Sequence, residues 1–133
     1  MKNRIEQGLA PPPGYAHTAT VEAGERLVFA AGAVPIDQSG FLVGAGDLRA
    51  QTRAVLTNLA EALRGAGTGL DRVVATTVYV VAAEQADLSF VWEEVKASEL
   101  SVGPHTSTLL GVSFLGYTGQ LVEITAVAVA PGN

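Results

Sequence analysis

The 133-residue sequence contains no cysteine, so disulfides, thiol nucleophiles and thiolate-bound metals are all excluded. It has two histidines, His17 and His105, too few for a dedicated metal cage. The turn Gly44-Ala45-Gly46-Asp47 lacks the Lys-Ser/Thr ending of a phosphate loop and reads as a helix entry. A dedicated metal site is therefore not expected. Charge is also scarce, at 16% of residues against about 25% in an ordinary soluble domain. Only eight residues are Lys or Arg, the net charge is −5, and beyond Arg72 the only basic residue is Lys96. Nucleic-acid binders carry a basic stripe that displaces counterions from phosphates, and none exists here. Residues 100–122 have no formal charge, but Gly103-Pro104, Gly111, Gly116 and Gly119 interrupt them. Strands and turns explain that segment better than a membrane span. Residues 1–14 carry Lys2 and Arg4 without an apolar stretch, so they do not read as a signal peptide. A cytoplasmic protein with no membrane partner is expected.

What is abundant is apolar surface. Hydrophobic residues make up 48% of a single-domain length, more than so small a monomer can hide. Large exposed apolar patches mark interfaces, so a homo-oligomer is expected. The run Ala10-Pro11-Pro12-Pro13-Gly14 makes residues 1–14 an extended arm on a single domain spanning 1–133. Residues 17–21 and 27–34 read as strands, and 41–43 as a short return strand after the turn Asp37-Gln38-Ser39-Gly40. A helix follows Gly46, capped by Asp47, with Leu48, Val55, Leu56, Leu59 and Leu63 on one stripe. Residues 73–81 have the β-branched density of a buried strand. A second helix is expected over 87–99, burying Leu88, Val91, Trp92 and Val95, and two strands close the chain near 106–112 and 121–130. The order is β-β-α-β-α-β-β, an α+β fold in which two helices cover one sheet face. The last strand alternates Val122, Ile124, Ala126 and Ala128 with Leu121, Val127 and Val129, so its second face also needs a partner.

Three residues invite a chemical reading. Glu123 is the only charge in residues 121–130. If buried beside Val122 and Ile124, its carboxyl would have a raised pKa suited to acid–base work on a water; the alternative is an ion pair or an exposed edge position. His105 precedes Thr106-Ser107-Thr108, but no local acid completes a triad, and a polar residue at a strand entry explains it as well. His17, near Tyr15, either lines a pocket or sits at a strand edge. Trp92, on the apolar stripe of the second helix, is core or interface by default.

Several blocks resemble a known family. Leu27-Val28-Phe29-Ala30-Ala31-Gly32-Ala33-Val34-Pro35-Ile36-Asp37 is similar to the "LVFVSGQIPLD" stretch of the Rid family, the YjgF-like reactive-intermediate deaminases. The segment from Asp47 through Gln51-Thr52-Arg53 to Leu59 resembles the family's "DIEAQTRQVLENL". The resemblance continues through residues 70–80 and closes on Leu121-Val122-Glu123-Ile124. It implies a chorismate-mutase-like mixed sheet in a homotrimer, with small-molecule pockets in the clefts between subunits. It also implies cofactor-free hydrolysis of imines and enamines to a carbonyl compound and ammonia. In the family a pocket arginine grips the substrate carboxylate, and a glutamate in the last strand places the attacking water.

Glu123 matches that glutamate. The family's "RPARS" block aligns with Gly103-Pro104-His105-Thr106-Ser107, which puts Thr106 where arginine belongs. Ser107 and Thr108 keep the backbone lining the pocket, and Trp92 falls on a pocket asparagine. The family's early tyrosine falls near His17 or Tyr15. Gly32 and Tyr117 complete the implied substrate-binding set, Tyr117 in a loop of its own shape within 111–119. Losing a bidentate arginine removes the main recognition of a carboxylate. Two functions compete: an imine or enamine hydrolase with an altered substrate, and a non-catalytic module that binds a small apolar metabolite. A ribonuclease role, sometimes attached to the family, conflicts with the acidic balance.

Overall fold

The computed structural model describes residues 1–103 and 105–132. Its strands are β1 (Lys2–Arg4), β2 (Thr18–Thr20), β3 (Arg26–Ala33), β4 (Val73–Val80), β5 (Thr106–Gly111) and β6 (Val122–Ala130). Its helices are α1 (Leu48–Gly65) and α2 (Gln85–Lys96), with single 3-10 turns at Leu70–Arg72 and Glu99–Ser101. Strands β3-β6-β4-β5 form one mixed sheet, antiparallel except for the β4–β5 pair, whose crossover is α2. This is the expected α+β architecture. Within the extended arm, β1 pairs antiparallel with β2 in a separate two-stranded ribbon, a pairing the sequence reading did not include. Residues 41–43 shrink to one bridge, Ile36–Leu42, because the Asp37 side chain accepts from the amides of Ser39 and Phe41 and tightens the turn.

Local chemistry sets the helix limits. Gly44 and Gly46 take positive φ, and Asp47 then caps α1 by accepting from the Ala50 amide at 3.0 Å. Helix α2 begins at Gln85 rather than 87, because Asp87 serves as the third residue of a capping box with Glu84. It stops at Lys96. Ser98 then caps the separate turn that holds Leu100 in the core.

Val55, Leu56, Leu59 and Leu63 of α1 and Val91, Trp92 and Val95 of α2 bury against Val78, Val80, Val122, Ile124, Ala126 and Ala128 of the sheet. Leu88 is only partly buried. The other sheet face carries no helix. Phe29 is 73% exposed there, and Leu27 and Leu110 are also exposed.

Candidate functional site

The last strand places alternate side chains on opposite faces. Val122 and Ile124 point into the core, whereas Glu123 is half-buried on the open face. Its carboxylate is therefore not enclosed between those two residues, nor at a sheet edge, since β6 lies between β3 and β4. It makes no ion pair among the described residues. Instead Glu123 Oε1 accepts from Gln120 Nε2 at 3.1 Å, and Gln120 Nε2 also reaches the Val122 carbonyl at 3.0 Å. Gln120 Oε1 accepts from the Tyr117 amide at 3.1 Å, which ties the half-exposed Tyr117 loop to the carboxylate. Across the sheet, Gly32 stands so close to Glu123 that an added Cβ would lie 2.8 Å from its Cδ. The missing side chain is what leaves room for the carboxylate.

Gln51 supports this arrangement from behind. Fully buried in α1, it donates to the carbonyls of Gly44 (3.1 Å) and Gly119 (3.0 Å) and accepts from the Leu121 amide at 2.7 Å. Gln51 and Gln120 are residues that the sequence reading missed. The available signal was Gln51 itself, a polar residue on the buried side of an amphipathic helix.

A second cluster lies on the helix side of the edge strand β5. Pro13, Tyr15, Trp92, Ser107 and Leu109 line a cavity of about 260 Å³. Trp92 is buried and donates Nε1–H to the Pro13 carbonyl at 2.7 Å, and its ring meets Tyr15 edge-on with centroids 6.5 Å apart. His17 packs edge-on against Tyr15 at 6.0 Å, and its Nδ1 accepts from the Glu6 amide at 2.8 Å. Thr106 and Thr108 lie on the opposite, open side of β5. Thr106 donates its hydroxyl to the Val74 carbonyl at 2.7 Å, and Thr108 is exposed. His105 stands at the entry of β5, and it is buried there: it is 1% exposed, with Nδ1 3.2 Å from the Leu100 carbonyl and Nε2 3.0 Å from Thr76 Oγ1. Burial pushes its imidazole below the usual histidine range, opposed by the Leu100 carbonyl. Pro104, part of the same block, lies outside the described residues.

The chain thus brings Gly32 and Glu123 together, with Tyr117 joined only through its backbone amide and Gln120, and separately Tyr15, Trp92 and Ser107, but it does not join the two groups. Thr106 stands opposite Ala75, and Glu123 opposite Tyr79. Four residues along and two strands across put them roughly 16 Å apart. Among the described residues no cluster of His, Cys, Asp or Glu could hold a metal. No described helix is long and apolar enough to cross a membrane.

A mixed four-stranded sheet with two helices on one face and an acid on the bare face defines the class to which this α+β domain belongs. Residues 6–130 match the model of the family described as endoribonuclease L-PSP, and the chain belongs to that family, the YjgF-like or Rid family. The conserved Rid family protein YyfB of Yersinia pestis has a TM-score of 0.88 and 33% identity, covering 96% of both chains. A putative endoribonuclease of Thermotoga maritima superimposes with a TM-score of 0.70 and 29% identity, over 99% of this chain and 100% of the other. A RutC family protein of Pyrococcus horikoshii is 39% identical over 60% of this chain; the match spans 63% of that relative, less than two-thirds of its length. Protein DfrA of Myxococcus xanthus is 30% identical over 87% of this chain and 85% of its own.

Proposed function

We propose that the chain hydrolyses reactive imines or enamines in clefts between copies of a homotrimer, on a substrate without a free carboxylate. The observation that carries this reading is Glu123, the one acid of β6, set on the bare face beside Gly32 and held by Gln120. A carboxylate so placed can take a proton from a water as the water oxygen bonds to the imine carbon. Glu123 returns that proton to the nitrogen, then moves the carbinolamine hydroxyl proton to the same nitrogen as the C–N bond breaks, so ammonia and a carbonyl compound leave and the carboxylate is regenerated. No redox change occurs, and no cofactor is required.

The trimer reading rests on the bare face. Burying the exposed parts of Phe29 and Leu27 against a neighbour contributes about 1–2 kcal/mol each. A cleft using both groups of residues would need two copies, since one chain holds them on different faces. A small molecule fits better than RNA. Arg4, Arg49, Arg53, Arg64, Arg72 and Lys96 are each paired with a glutamate, leaving no free basic stripe for phosphates.

One observation favours the alternative, a binding module. Thr106 replaces the arginine of the resemblance and spends its hydroxyl on Val74, so no charge marks the substrate side. The test is ammonia release from an arylalkyl imine generated in situ by an amine oxidase, measured above spontaneous hydrolysis. Glu123→Gln should lower the catalysed rate by about 10²–10⁴ with the assembly intact. An unchanged rate in Glu123→Gln would remove Glu123 from the chemistry, and no catalysis by the wild type on any imine would leave the binding module.

A further inference from the structure

His105 is fully buried, and neither ring nitrogen meets a charge: one faces the Leu100 carbonyl, the other Thr76 Oγ1. Thr76 Oγ1 in turn lies 2.7 Å from Ser107 Oγ, and Ser107 forms part of the wall of the 260 Å³ cavity. An unbroken hydrogen-bond chain therefore runs from a core histidine to a cavity surface. The direction of its protons follows from what each group can do. A carbonyl oxygen only accepts, so Nδ1 must carry a proton. A buried imidazole with no acid partner is neutral, which leaves Nε2 as a bare lone pair that only the Thr76 hydroxyl can satisfy. Each hydroxyl has one proton. With that of Thr76 spent on His105, the contact between the two hydroxyls must use the proton of Ser107.

Ser107 thus turns only lone pairs to the cavity. The Trp92 N–H is committed to Pro13 as well, so the indole offers carbon alone. Of the five lining residues, only Ser107 and Tyr15 carry side-chain hydroxyls. We propose that this cavity selects planar, apolar ligands that present an N–H or O–H donor to Ser107 Oγ, with His105 and Thr76 as positioning residues that fix Ser107 as an acceptor. The N–H of a neutral enamine or imine is such a donor. The inference rests on the preceding reading in taking the cavity as the substrate side of the cleft.

The test compares binding of indole and benzofuran, which share a shape but differ in N–H against ring oxygen, by NMR titration of the assembled protein. Indole should bind about three- to tenfold more tightly, the worth of one net hydrogen bond. Ser107→Ala should erase the preference. Thr76→Val frees the Ser107 proton and should bring the ratio to one or below. That variant also strips a buried nitrogen of its partner, so the wild-type tautomer provides a measurement free of folding effects. Imidazole ¹⁵N shifts at neutral pH should show His105 protonated on Nδ1 and bare on Nε2. A protonated Nε2, equal binding of the two ligands, or no binding of either at millimolar concentration would overturn the proposal. Binding is read without turnover: an inert Glu123 with the indole preference intact would sink only the hydrolase reading.

Discussion

Gly32→Ala separates the position of the Glu123 carboxylate from the stability of the fold. Gly32 does not occupy the left-handed region, so alanine fits its backbone without strain. Removing a glycine stiffens the unfolded chain and stabilises by about 0.4–1 kcal/mol where the backbone permits. The added Cβ, however, would stand 2.8 Å from Glu123 Cδ and 3.0 Å from Cγ. Carbon atoms settle near 3.5–4.0 Å, so the carboxylate must retreat by roughly 1 Å. That shift also stretches the 3.1 Å bond from Gln120. Misplacing a reacting group by about 1 Å costs on the order of 10²-fold.

Gly32→Ala should therefore melt at or slightly above the wild-type temperature, keep its assembly state, and lose about a hundredfold in imine hydrolysis. The assay is ammonia release from amine-oxidase-generated imine, with Glu123→Gln and the double variant alongside. The two changes act on one group, so the double variant should be little worse than Glu123→Gln alone. Full turnover in Gly32→Ala would show that the position of the carboxylate does not matter and would refute the reasoning. A loss of more than about 2 kcal/mol in stability would make Gly32 a packing glycine instead.

Other expectations follow from the same geometry. Sedimentation should give three chains per particle, and a well-behaved monomer would remove the need for a partner on the Phe29 face. With Thr106 where the resemblance puts arginine, 2-aminoacrylate should be a poor substrate; Thr106→Arg, on the open side of β5, should raise 2-keto acid release by about thirtyfold or more, the worth of a charge-assisted bond. Gln51→Ala strands the Leu121 amide and the Gly44 and Gly119 carbonyls, so it should cost about 2–4 kcal/mol and speed hydrogen exchange at Leu121. Buried neutral His105 makes stability depend on pH. Unfolded, it takes up a proton near 6.5; folded, burial holds its pKa lower. Its contribution is complete above about 6.5 and is lost as pH falls through the folded value, because the unfolded chain binds more protons in that window. Urea midpoints should drop on acidification below 6.5, and His105→Gln should flatten that part of the profile.

The fold was legible because its signals are local. Asp47 after Gly46, the stripe from Val55 to Leu63 and the β-branched run of β4 each act within a few residues, and each appears where expected. The errors fall where one side chain reorganises a turn: Asp37 folds back on two amides, and Asp87 serves inside a capping box rather than at its edge. The pairing of β1 with β2 joins residues about fifteen positions apart with no apolar pattern to announce it.

The candidate site was only half legible, and for a different reason. A lone acid in an apolar strand is visible in one dimension, but the face it occupies depends on which neighbours it alternates with, and Glu123 points away from Val122 and Ile124. His105 shows the limit from the other side. A histidine beside hydroxyls at a strand entry looks exposed, yet β4 supplies Thr76 across the parallel pair and the turn after α2 supplies a carbonyl, so the ring can be buried with both nitrogens satisfied. Neither partner lies within the block that drew attention to it. What the sequence could not display is that its two polar groups, the Glu123–Gln120 pair and the His105–Thr76–Ser107 chain, occupy opposite faces of one sheet. A single copy offers each to a different neighbour, so the chemistry proposed here depends on how the bare face is covered.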